Sequence, residues 1–72
     1  MKPKYSAIER EAFARGLESA ARHLRREVEE DLTEREAESA EFMRNVYEDF
    51  AVAERAAARW CDRQARKVRK GK

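Results

Sequence analysis

The 72-residue chain contains one cysteine, one proline, one histidine and two glycines, and nowhere a long uninterrupted apolar run. Each scarcity excludes something. A lone Cys61 cannot form an internal disulfide, which suits a reducing compartment, and reads as a small apolar residue on a helix flank. Without the roughly 18 apolar residues of a membrane span, and with MKPKYSAIERE in place of a signal peptide's apolar core, a cytoplasmic protein without membrane contact is expected. Pro3 and Gly71 stand at the ends and only Gly16 is interior, so little turn chemistry is left for strands. That predicts an all-α fold. His23 has neither a second histidine nor a cysteine beside it, there is no placed nucleophile, and no glycine-rich phosphate loop occurs. No catalytic site, metal or cofactor is expected.

What is abundant is charge and alanine. Seventeen basic and fifteen acidic side chains leave a net charge of +2, with twelve arginines against five lysines. Ser6-Ala7-Ile8-Glu9 is a capping box, so a first helix is predicted from about residue 7. Phe13, Leu17, Ala20, Ala21, Leu24 and Val28 recur at steps of three and four and form its core stripe. The segment EVEEDLTEREAE, residues 27–38, has seven acidic residues in twelve and contains a second match to the capping box, Thr33-Glu34-Arg35-Glu36. A turn at about 31–33 is therefore predicted, with helix one over about 7–31, helix two over about 34–69 and a basic tail beyond. Charge supports the fold-back: in a hairpin hinged there, residues face each other when their numbers sum to about 64, because both helices share one rise per residue. Glu9 and Glu11 then meet Arg55 and Arg59, Arg15 meets Glu48 and Asp49, and Arg22, Arg25 and Arg26 meet Glu41, Glu38 and Glu36. Leu24 falls by Met43, Leu17 by Val46 and Tyr47, Phe13 by Phe50, and Tyr5 by Trp60. The expected architecture is an antiparallel two-helix hairpin.

A chain this short buries little on its own. The apolar residues of helix two spread over an arc of about 140°, too wide for one facing helix to cover. On the back of helix one Ile8, Ala12 and Gly16 step by four, a small-residue ridge that would admit a close backbone approach. Both features predict a homodimeric four-helix bundle, with Phe50, Met43, Val46, Ala12 and Gly16 at the interface between copies. Aromatics at the rim, Tyr47 first, then Trp60 and Phe42, with Glu34 and Glu38 of the acidic tip, are the candidate docking residues for another protein. The other class is nucleic-acid binding through the row Arg55, Arg59, Arg63 and Arg66 with Lys67, Arg69, Lys70 and Lys72, which steps mostly by four and can follow phosphates.

The stretches FARGLESAARHLRREVE and AERAAARWCDRQARK, in so short a chain, resemble the small helical accessory proteins of phages and prophages, a loose group that includes anti-CRISPR proteins and quorum-sensing anti-activators. The resemblance is one of size, helicity and composition, and carries no residue over. It implies a non-enzymatic inhibitor that binds and occludes a bacterial host protein.

Overall fold

The computed structural model describes residues 5–70 and consists of two helices packed antiparallel, α1 (Ala7–Ala37) and α2 (Glu41–Lys70). The pair is a slender hairpin, with principal extents of 56 × 16 × 12 Å. The start of α1 follows the capping box: Glu9 N–H donates to the Ser6 hydroxyl at 3.1 Å, and Ser6 N–H donates to the Glu9 carboxylate at 3.0 Å. Those two hydrogen bonds, the backbone one first, hold the Glu9 carboxyl below its usual range. The basic tail beyond Lys70 lies outside the described residues.

The turn is not at 31–33. Helix α1 runs straight through that segment, and the chain reverses at Glu38-Ser39-Ala40. The second capping box is not used as a cap. Thr33 instead donates its hydroxyl to the Glu29 carbonyl one turn back at 2.9 Å, a bond available only inside a helix. The actual turn is closed by short local bonds. Glu38 N–H donates to the Arg35 carbonyl, the Glu38 carboxylate accepts from Ala40 N–H at 3.1 Å, and the Ala40 carbonyl accepts the first bond of α2 from Arg44. A helix continued through this point would stack Glu30, Glu34, Glu38 and Glu41 on one edge, like charges at the spacings where they repel.

What sets the hairpin's register is a seam of small residues. The buried side chains are Ala14, Ala21 and Val28 on α1 and Ala51, Ala58, Cys61 and Ala65 on α2, and none of them is large. Ala14, Ala21 and Val28 are spaced by seven, as are Ala51, Ala58 and Ala65, which is the repeat of a coiled-coil seam. Folded antiparallel, Ala14 comes level with Ala65, Ala21 with Ala58, and Val28 with Ala51, all about one midpoint between residues 39 and 40. That midpoint is the turn. Leu17 and Leu24 pack half-buried against the central cluster of Ala21, Ala58 and Cys61. Alanine at every seventh position lets two helices approach closely, at the cost of a core without bulk.

The charge pairs change with the register. The ion pairs expected for a turn at 31–33 are replaced by Arg25 with Asp62, Arg35 with Glu48, and Arg69 with both Glu11 and Glu18. The apolar neighbours are replaced as well: Tyr5 meets Phe13 edge-on at 5.1 Å, and Leu17 and Leu24 meet Cys61 and Ala58. No helix among the described residues is long and apolar enough to cross a membrane.

Candidate functional site: two faces of one hairpin

At about 100° per residue the two helices sort their side chains into distinct faces. On one broad side of the hairpin lie the ion pairs of Arg69 and Arg25. Arg69 is the strongest of these, donating from Nε and Nη2 to Glu11 at 3.0 Å each and from Nη1 and Nη2 to Glu18 at 2.6 and 2.8 Å. The two carboxylates are two turns apart on α1, so one guanidinium bridges them and anchors the end of α2. Its hydrogen bonds hold both carboxyls below their ordinary range and raise the guanidinium above its own. Arg25 reaches Asp62, and Arg35 Nε lies 3.4 Å from Glu48.

The opposite broad side is apolar. Phe13 and Ala20 of α1 share it with Val46, Phe50, Ala53 and Ala57 of α2, and Phe42 and Trp60 stand along its outer edge about 140° from the α2 seam. The large side chains remain in solvent: Phe42 is 72% exposed, Phe50 54%, Trp60 52% and Phe13 50%. A hairpin with only alanine-sized residues inside and phenylalanines outside has its bulky apolar surface still to bury.

The expected interface residues divide. Phe50 is exposed on the apolar side, and Val46 and Met43 are half-buried. Gly16 is exposed about 120° from the α1 seam, on the side of Phe13, and nothing in the chain comes within 4 Å of where a Cβ would stand. Its close approach is therefore not made within one hairpin. Ala12 is exposed on the back of α1. Among the docking candidates, Trp60 and Phe42 are exposed, but Tyr47 is half-buried in line with the seam stripe of Glu54 and Cys61, not at the outer edge of the arc. The later turn moves the seam toward the alanine edge of α2, and Tyr47 moves into it. Glu34 is exposed, whereas Glu38 is half-buried and its carboxylate is held in the turn. Shallow depressions near this end are lined by charged side chains, one by Arg35, Glu36, Glu41, Arg44, Asn45 and Glu48 and another by Arg26, Glu29, Glu30, Thr33 and Glu34.

Sequence reasoning missed Ala14, Ala51 and Ala58, whose spacings of seven from Ala21 and Ala65 were the available signal, and a carboxyl pair on the seam. Glu54 occupies a seam position on α2 and faces Asp31 of α1, with which it can share a proton. Glu54 Oε1 is buried with no hydrogen-bond partner, so the two carboxyls can bond only with a proton between them. That bond, then burial, then the negative charges of Asp31, Glu27 and Glu30 raise the Glu54 carboxyl to about 7. His23 is on the surface with Nε2 3.7 Å from Glu27, and Cys61 is buried in the seam as a free thiol. Among the described residues no group of three or more potential ligands could hold a metal ion.

Arg55, Arg59, Arg63, Arg66 and Lys70 are all exposed on the outward face of α2, and Lys67 lies beside them. Arg69 does not belong to that face, being committed to α1. Lys72 lies outside the described residues. Comparison with known protein families, with curated proteins and with solved structures found no match to this chain.

Proposed function

We propose that the hairpin is a non-enzymatic protein-binding module that pairs with a second copy through its apolar side and, as a four-helix bundle, docks on and occludes a larger protein. The observation that carries this reading is the inversion of bulk: among the described residues no large side chain is buried, while Phe13, Phe50, Phe42 and Trp60 are each at least half exposed. Apolar surface of that size on one side of a small chain marks an interaction site.

Charge selects how a second copy would lie. Residues 23–57, the turn half, carry five basic and eleven acidic side chains, a net of −6; the remainder carries twelve and four, a net of +8. Two hairpins stacked apolar side to apolar side gain by lying end for end, each acidic half over the other's basic half. In that stack Phe50 and Val46 are central. Phe42 and Trp60 remain at the rim, where aromatics dominate binding to another protein. A bacterial host protein as target follows from the likeness to phage-encoded inhibitors, and the acidic turn half suits a basic surface on it.

The test is expression in a bacterial host, recovery of the bound protein and titration of the purified pair. Replacing Trp60 or Phe42 with Ala should weaken that complex by about 2 kcal/mol, the scale of an interface hot spot, with helicity retained. A complex indifferent to both changes would overturn the rim as docking surface.

A further inference from the structure

We propose that the outward face of α2 between Arg55 and Lys70 binds the phosphate backbone of double-stranded DNA without regard to sequence. The face is unusually pure. Over residues 55–70, an arc of about 80° contains five side chains, Arg55, Arg59, Arg63, Arg66 and Lys70, and every one is cationic. They follow one another at steps of four, four, three and four, so the row runs about 22 Å along the helix at 1.5 Å per residue.

The ion-pair pattern of the hairpin is what leaves this row open. The acidic side chains bordering it are Glu48 and Asp62, and α1 occupies both, through Arg35 and Arg25. Arg69, the cation nearest the seam, is taken by Glu11 and Glu18. Among the described residues none of the five outward cations is held by a hydrogen bond or an ion pair. A run of unneutralised cations in an otherwise pair-rich protein is a surface whose counterions are available for exchange with a polyanion. The row centres about 120° from the seam on the side away from Phe50, so the apolar side can be covered by protein while the row faces DNA.

Chemistry narrows the polyanion. Four of the five are arginines, whose forked guanidinium suits phosphate oxygens. No aromatic side chain lies within the arc, and single strands are held by stacking bases on aromatics. No asparagine or glutamine lies within it to read adenine edges, so contacts are to the backbone. The absence of an apolar anchor within the arc argues against an acidic protein, because interface energy concentrates in buried aromatic and apolar residues. The acidic turn half is repelled by phosphates and keeps contact to the terminal half of α2.

The experiment is fluorescence anisotropy with a labelled DNA duplex of about 24 base pairs over about 50 to 200 mM salt, compared with the single strand and with duplex RNA. Four or five phosphate contacts predict a slope of log K against log salt of about −3.6 to −4.5. The double variant Arg59→Gln, Arg63→Gln should reduce the slope by about two and weaken binding equally on unrelated sequences. These side chains hold nothing in the fold, so the variant should keep wild-type helicity. Several results would overturn the proposal: no duplex binding at about 50 mM salt, an unchanged slope in the double variant, or equal or tighter binding of the single strand or of duplex RNA. Displacement of the duplex by polyglutamate at matched charge would transfer the surface to an acidic protein.

Discussion

Replacing Phe50 with Ala tests whether the apolar side is an interface. In the single hairpin Phe50 is 54% exposed. A phenylalanine has roughly 150–250 Å² to bury, so about 100 Å² of it awaits a partner. At ~25 cal/mol/Å² this is worth about 2.5 kcal/mol in each copy, hence about 5 kcal/mol in a two-fold assembly where it occurs twice. Each 1.4 kcal/mol is a factor of about ten in affinity, so Phe50→Ala should raise the dissociation constant between copies by three to four orders of magnitude. The control is Ile8→Ala. Ile8 is more exposed, at 82%, but projects from the back of α1, and its loss should leave association unchanged. Light scattering after size exclusion should show about 17 kDa, twice the 8.5 kDa chain, for wild type and Ile8→Ala, and the smaller mass for Phe50→Ala at micromolar concentration. A fold stabilised by pairing of copies gains from mass action, so the wild-type melting temperature should also rise with protein concentration. An 8.5 kDa wild-type monomer that melts cooperatively and independently of concentration would refute the reasoning, as would equal effects of the two variants.

The seam and the carboxyl pair give two more predictions. Ala58→Leu forces bulk between the helices and should destabilise by about 1–3 kcal/mol, read as lost helicity and a lower melting temperature, while Ala57→Leu on the apolar side should not; similar destabilisation by both would refute the alanine seam. Glu54 keeps its proton in the fold up to about pH 7 but releases it near 4.5 when unfolded, so between these values the native state binds more protons. Stability from this group is therefore full below about 4.5 and lost as pH rises through 7. The melting temperature should fall between pH 5 and pH 8, and Glu54→Gln should flatten that fall; a variant with the wild-type slope would remove Glu54 as its cause.

The helical class and the two-helix hairpin were legible in the sequence, because a capping box and two long apolar repeats leave few alternatives. The turn was misplaced for a physical reason. Thr33-Glu34-Arg35-Glu36 has the residues of a cap, but a cap needs a chain that has already left the helix. Asp31 and Leu32, both half-buried, are instead held in the run of α1, and the Thr33 hydroxyl bonds backward. Opposite charges then appeared to confirm the wrong register, since in a chain with 44% charged residues many registers bring unlike signs together. Exposed pairs are worth about 0–1 kcal/mol and discriminate poorly. The alanines discriminate well, because a helix seam shifted from a repeat of seven brings long side chains into a gap sized for methyl groups. Ala14, Ala21, Ala51, Ala58 and Ala65 carried the turn position in plain view. Attention to bulky residues passed over Ala14, Ala51 and Ala58, and the bulky residues belong to another face.

That separation of faces goes with a core of small side chains in a protein this rich in charge. The pairs of Arg25 and Arg69 lie on one side, Arg35 continues the seam stripe seven residues past Val28, and each pair is too exposed to hold two helices together alone. They add to the register that the alanine seam sets. With the seam closed in that register, Phe13 and Phe50 are left together on the side opposite the pairs of Arg25 and Arg69. If those phenylalanines were turned inward, the seam would gain bulk; in the observed register their apolar area stays on the surface of the single hairpin. Beside that surface Glu27, Glu30 and Asp31 add their negative charge to Glu54 and favour a proton on its carboxyl, since a like-charged cluster at a seam costs least when it is partly neutralised.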